Sequence, residues 1–176
     1  MLLALVLTTG LPFTPPAAAQ TPIEYAVKAN FLYKFGPFVE WPTRAFAGPT
    51  SPFTVCVVGE DPFGTALDEA VRGQTVDGHP VLARRLPTVS AESGCHVAYV
   101  GRMRGRASAD TLKLLQGSPV LTVTDERQGV DGGMVHFMVQ GGRVRFALNV
   151  PAAQASGLGL SSKLQELAVV RARAGG

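Results

Sequence analysis

Charge is scarce in this chain. Asp, Glu, Lys and Arg make up 16% of its 176 residues, against about a quarter in an average globular chain, while apolar residues reach 46%. That balance excludes a disordered, self-repelling chain and predicts a packed core. Basic residues exceed acidic ones only enough for a net charge of +3, and no Lys/Arg run is dense enough for a nucleic-acid surface. The three histidines, His79, His96 and His136, lie on separate segments without HExxH or paired spacing, so they write no metal-ligand set. G-x-G-x-x-G, a Walker loop and a G-x-S-x-G elbow are all missing, and Ser161-Ser162-Lys163 reads as a helix start. No catalytic residue, metal or cofactor is therefore expected. No apolar run is long enough to span a bilayer.

Residues 2–20 carry no charge at all. An apolar stretch over residues 2–7 is followed by Pro12, Pro15 and Pro16 and then by Ala17-Ala18-Ala19. This is the order of an export leader with an A-x-A cleavage site, without the usual positive charge in front. The reading is a signal peptide over 1–19, cleaved near Ala19/Gln20, and a single exported domain over 20–176.

What the chain does contain is organised around Phe53-Thr54-Val55-Cys56-Val57-Val58-Gly59, a short run that is apolar on both alternating faces. Such a run predicts a strand buried on both sides. Asp61-Pro62 follows as a helix cap with proline at the first position, and Gly73 supplies the stop of a helix over 63–72. Further strands are expected over 81–86, 96–100 and 119–123, with a helix over 107–116 ahead of Gly117. Residues 133–140 and 143–148 both alternate, and Gly141-Gly142 between them predicts an antiparallel hairpin, with Val144, Phe146 and Leu148 facing inward and Arg143 and Arg145 outward. The fold class is α/β: a Rossmann-like, doubly wound mixed sheet, largely parallel, with a C-terminal antiparallel hairpin and flanking helices. A helix over 23–35 is expected to pack through Ile23, Val27, Phe31 and Phe35, at four-residue steps. A short helix over 151–156 and a last helix starting at Ser161-Ser162 close the chain, the last with Gln165 in a capping box with Ser162 and a stripe of Leu160, Leu164, Leu167 and Ala168. Residues 171–176 should fray.

In an exported chain two cysteines most simply pair with each other. Cys56 lies on the first strand and Cys95 just before the third, and these strands are neighbours in a doubly wound sheet. Closing that loop stabilises the fold by roughly 4 kcal/mol in the chain-entropy model. A redox or metal role lacks a CxxC, and His96 alone does not complete a ligand set. Arg102, Arg104 and Arg106 read either as an anion-binding loop or, more simply, as a solvated edge. His136, between Met134 and Met138 on a strand face, reads as a packed residue, and Asp125, Glu126 and Asp131 as solvated ones.

The ordered set Glu24-Tyr25-Ala26-Val27-Lys28-Ala29-Asn30-Phe31-Leu32-Tyr33, Phe38-Val39-Glu40-Trp41-Pro42 and Val57-Val58-Gly59-Glu60-Asp61-Pro62-Phe63-Gly64 resembles the YfiR family of exported bacterial proteins. Cys95-His96-Val97-Ala98-Tyr99-Val100, Pro119-Val120-Leu121-Thr122-Val123 and Gly132-Gly133-Met134-Val135 continue the match. Arg143-Val144-Arg145-Phe146-Ala147-Leu148-Asn149 and Gly157-Leu158-Gly159-Leu160-Ser161-Ser162-Lys163-Leu164 complete it. The resemblance implies a periplasmic repressor that binds the periplasmic sensor domain of a YfiN-type, membrane-bound diguanylate cyclase, lowering cyclic di-GMP and biofilm formation. A homodimer and a small-molecule signal stay open as further partners. The chain departs from the family type in lacking a second cysteine pair near the hairpin, and it carries His136 where many relatives have Asn. Phe38, Trp41, Leu158 and Leu160, whose burial periodicity does not force, are the partner-binding candidates; the simpler alternative has them packing on one another to seal the sheet end. A receptor with a small-molecule site at the C-terminal ends of the parallel strands is the competing function.

Overall fold

The computed structural model describes residues 20–105 and 107–169; the expected leader, Arg106 and the C-terminal residues 170–176 lie outside the described residues. The sheet grows outward from β2 (Phe53–Val58), in which all six residues are buried. Its parallel neighbours are β4 (His79–Leu86) on one side and β5 (Val97–Val100) on the other. β6 (Leu121–Asp125) and β7 (Val135–Gln140) extend the parallel part, and β8 (Arg143–Leu148) returns antiparallel to β7. With β3 (Thr75–Val76) antiparallel to β4, the order is β3-β4-β2-β5-β6-β7-β8. The winding direction reverses between β2 and β5, which makes the sheet doubly wound and mixed, as the apolar runs predicted.

The two faces divide by strand alternation. Val55, Val57, Val97, Tyr99, Val123 and Phe137 join the larger core beneath α1 (Gln20–Lys34), α2 (Thr65–Val71) and α5 (Ser162–Leu167). Cys56, Val58 and Ala98 face the smaller cluster with Val89, Leu115 and Val120, close to α3 (Ser108–Leu114). Cys56 and Cys95 form a disulfide, their Cα atoms 5.8 Å apart. The β7–β8 hairpin turns on Gly141 and Gly142, both at positive φ, as a two-residue turn requires. Phe146 is buried with its ring 5.2 Å from that of Phe35, Val144 and Leu148 pack partly on the core, and Arg143 and Arg145 face out.

The main departure from the sequence reading is the rotation of α1. Ile23 is 68% and Val27 41% exposed, whereas Tyr25, Lys28, Ala29 and Leu32 are buried; only the later half of the expected stripe turns inward, Phe31 half-buried against Phe137 and Phe146 and Phe35 fully buried. The inward positions thus run 25, 28, 29, 32, a helical face of their own. The helix carries two apolar stripes, and the sheet took the one that contains a lysine. The cause lies beneath it, in the buried carboxylate described below.

Other departures are local. α2 starts at Thr65, not at residue 63, because Asp61 accepts from the Phe63 N–H at 2.8 Å in a turn of its own and binds Arg85 through its other oxygen at 3.0 Å. Residues 74–80, read as a plain turn, contain the short β3–β4 hairpin around Asp77-Gly78. α4 (Val150–Ala155) is capped by Asn149, whose side chain accepts from the Ala152 N–H. At α5 the cap is Ser161 rather than Ser162, accepting from the Leu164 N–H, while the Gln165 amide donates to the Leu160 carbonyl. Leu167 is 58% exposed and leaves the expected stripe. A two-stranded ladder between β1 (Val39–Glu40) and β9 (Gly159–Leu160) had no signature in the sequence.

Candidate functional site

At the centre of the α1–sheet interface lies a closed polar cluster. Lys28, fully buried, donates to both oxygens of Asp125 at 2.8 Å and to Glu24 at 2.5 Å. Asp125, at the end of β6, is also fully buried; it accepts from the Tyr99 hydroxyl at 3.1 Å and the Arg127 backbone N–H at 3.0 Å. Arg127 reaches back to Glu24 at 3.3 Å from a half-exposed position. The Lys28 ammonium sits 4.8 Å from the Tyr25 ring centroid. Burial, and next the Asp125 charge, push the Tyr99 phenol above its ordinary pKa, so it serves as a neutral donor. Tyr25 is shifted upward too, first by burial. Lys28, Asp125 and Tyr99 are matched to one another inside the domain, and Glu24 and Arg127 carry the cluster to the surface beside α1, so the arrangement fixes the orientation of α1. Asp125, assigned to solvent from sequence, is thus corrected: a carboxylate at the end of an apolar strand is buried when a cation from another element reaches it.

Phe38, Trp41, Leu158 and Leu160 belong to the end of the molecule closed by the β1–β9 ladder, in which Val39 pairs with Leu160 and the Ser161 N–H donates to the Phe38 carbonyl at 2.9 Å. Leu158 and Leu160 are buried in the core. Phe38 and Trp41 are half-buried. The Trp41 indole N–H donates to the Gly36 carbonyl at 3.1 Å, and its ring stands edge-on to Phe53 at 5.5 Å. The surface offered at this end is therefore that of Phe38 and Trp41.

Near the disulfide, His96 is buried against Phe53, Phe46 and Trp41. Its Nδ1 accepts from the Thr54 backbone N–H at 3.0 Å, so the neutral ring carries its proton on Nε2, which has no hydrogen-bond partner among the described residues. Burial, and secondarily His79, push its pKa down to about 4, against a weaker opposing influence of the Ala45 backbone. His79 stacks on Phe46 at 4.2 Å and donates from Nδ1 to the Ser51 carbonyl at 2.6 Å, so both histidines hold the loop that precedes β2. His136 is buried on β7, with Nδ1 3.0 Å from the Thr124 hydroxyl and 3.6 Å from Asp131. Among the described residues no group of three or more His, Cys, Asp or Glu side chains could hold a metal ion.

The crevice where the sheet reverses, the usual ligand position in this architecture, is crossed by backbone hydrogen bonds. The Glu60 N–H donates to the Arg102 carbonyl and the Gly101 N–H to the Val58 carbonyl, each at 2.9 Å. A Cβ at Gly101 would lie 2.4 Å from the Glu60 carbonyl oxygen, so glycine is required for this closure. Of the three arginines that suggested an anion loop, Arg102 donates to the Gln128 carbonyl at 3.4 Å, Arg104 lies 3.7 Å from Glu60, and Arg106 falls outside the described residues.

The family model for YfiR/HmsC-like proteins matches residues 25–169. This chain belongs to the YfiR/HmsC-like family. No curated protein matches it. The matched span opens within α1 and closes just after α5, so Lys28, Asp125 and Tyr99 of the buried cluster, the disulfide and the β1–β9 end all lie inside it. No helix among the described residues is long and apolar enough to cross a membrane.

Two outcomes follow from this geometry. Lys28→Ala leaves Asp125 buried without its cation and should cost about 3–5 kcal/mol in denaturant unfolding, with Lys28→Met plus Asp125→Asn recovering much of it; a loss below about 1 kcal/mol contradicts the assignment. His96 titrates lower folded than unfolded, so the unfolded chain takes up the proton first and stability is lost as pH falls from the ordinary histidine value towards about 4. Urea unfolding at about pH 7 and about pH 4.5 should show up to roughly 3 kcal/mol of this loss in the parent and a smaller loss in His96→Asn. Equal losses in the two proteins refute the assignment to His96.

Proposed function

We propose that this chain is an exported periplasmic regulator that restrains an inner-membrane diguanylate cyclase by binding its periplasmic sensor domain, lowering cyclic di-GMP and biofilm matrix. The observation that carries the reading is membership of the YfiR/HmsC-like family over residues 25–169. Two features of the chain support it. The uncharged segment 2–20 ending in Ala17-Ala18-Ala19 has the order of a cleaved leader, giving a mature domain over 20–176. The Cys56–Cys95 disulfide suits an oxidising compartment outside the cytoplasm. Regulation then proceeds by surface contact, and Phe38 and Trp41 are two half-buried aromatics whose remaining surface a partner could cover, with buried Leu158 and Leu160 holding that end of the domain in shape.

Deleting the gene in the source bacterium should raise cellular cyclic di-GMP, and the parent chain supplied in trans should restore it. Trp41→Glu, in a protein whose melting temperature is unchanged, should fail to restore it and should no longer bind the purified sensor domain. Unaltered cyclic di-GMP after deletion refutes the cyclase reading, and full activity of a folded Trp41→Glu variant removes this end of the domain from the contact.

A further inference from the structure

The outward rotation of α1 leaves an apolar surface on the folded domain. Ile23 and Val27 on the outer side of the helix, the half-buried Phe31 where the stripe meets the core, and Val139 and Val144 of the β7–β8 hairpin line a groove of about 440 Å³. The same stripe continues over the helix into a second depression of about 470 Å³ that reaches Lys34. Ile23 is the most exposed large apolar residue among those described, and isolated exposure is ordinary, but a stripe at i, i+4 and i+8 beside a second element is not.

The charge around the groove selects its occupant. Arg143 stands at its hairpin side and Lys34 at the far end of the helical stripe, both exposed, while Arg127, in the turn after β6, is already paired with Glu24. The acidic group in the lining, Glu24, is nearly buried and already engaged by Lys28 and Arg127. The free charge presented to an incoming surface is therefore positive. A second copy of this chain would bring the same cations against each other, and the whole chain carries a net charge of +3. The residues outside those described, 1–19, 106 and 170–176, contain no Asp or Glu side chain, and Arg106, Arg171 and Arg173 are among them. A bilayer surface is flat, whereas this surface is a trough between a helix and a hairpin. We propose that the α1–hairpin groove docks an acidic amphipathic helix of a protein partner, its apolar side chains entering between Val27 and Val144 and its carboxylates meeting Lys34 and Arg143. This rests on the reading that the chain regulates by protein contact; it does not depend on the partner being a cyclase.

The test is photo-crosslinking in the source bacterium. The full chain is produced with a benzoylphenylalanine in place of Val27, of Trp41, or of Leu82, the last an exposed reference residue on β4 away from the groove. Crosslinks from the Val27 position should map, by mass spectrometry, to an acidic amphipathic segment of another protein and be absent from the Leu82 position. Adding Lys34→Glu and Arg143→Glu, with the melting temperature unchanged, should lower their yield on the order of tenfold. Crosslinks only to a second copy, to lipid or within the chain, or a yield no higher than at Leu82, overturn the proposal; a yield indifferent to the charge reversals overturns the acidic partner. If the captured protein is not a diguanylate cyclase, the groove stands and the cyclase reading falls. A cyclase captured from the Trp41 position but not from Val27 gives the reverse result.

Discussion

The contact between Lys28 and Asp125 is the constraint on which the rest of the domain depends. Both groups are withdrawn from water, so each is tolerable only because the other is there. The carboxylate is fixed by the sheet, at the last residue of β6, with Tyr99 and the Arg127 N–H completing its coordination. α1 must present Lys28 to it, and a helix that commits one position commits its whole rotation. The competing rotation would bury Ile23 and Val27, worth about 1.5–3 kcal/mol for each side chain fully removed from water. It would also strand Asp125, at a cost of about 3–5 kcal/mol, and surrender the packing of Tyr25, Ala29 and Leu32. Those losses together exceed the gain.

One interaction therefore links fold to surface. The large core is sealed by the lysine-bearing stripe, and the second apolar stripe is left facing outward next to the hairpin. At the same C-terminal end of the parallel strands as Asp125, backbone hydrogen bonds tie the loops after β2 and β5 together and leave beside them a depression of about 380 Å³ lined by Gly59, Glu60, Arg102 and Arg104, while the disulfide lies on the other sheet face from the large core. A domain arranged this way offers its neighbours an apolar trough between α1 and the hairpin.

Much of the sheet was legible in the sequence because strands buried on both faces cannot conceal it: the run at 53–58 and the alternation at 135–148 each admit one reading, and the pairing of Cys56 with Cys95 follows from the strand order they imply. The face of α1 was not legible. Ile23, Val27 and Phe31 form a cleaner apolar repeat than Tyr25, Lys28, Ala29 and Leu32, and only a partner about a hundred residues away reverses the choice. The signal was a lysine sharing a helical face with Tyr25, Ala29 and Leu32, together with an aspartate ending a strand that is buried throughout. The β1–β9 ladder was hidden for a simpler reason, since two-residue strands have no periodicity to read. Leu158 and Leu160 looked unforced by periodicity for that reason and are in the core.

The most direct test of this account measures which face of α1 meets water. The native cysteines are joined to each other, so a cysteine introduced by Val27→Cys or by Leu32→Cys is the only thiol added to the folded protein. The account predicts that Val27→Cys reacts with a soluble maleimide at close to the rate of a free thiol and that Leu32→Cys reacts only as the protein unfolds. Protection at Val27→Cys with rapid labelling at Leu32→Cys would contradict it, placing the Ile23–Val27–Phe31 stripe in the core and Lys28 in solvent.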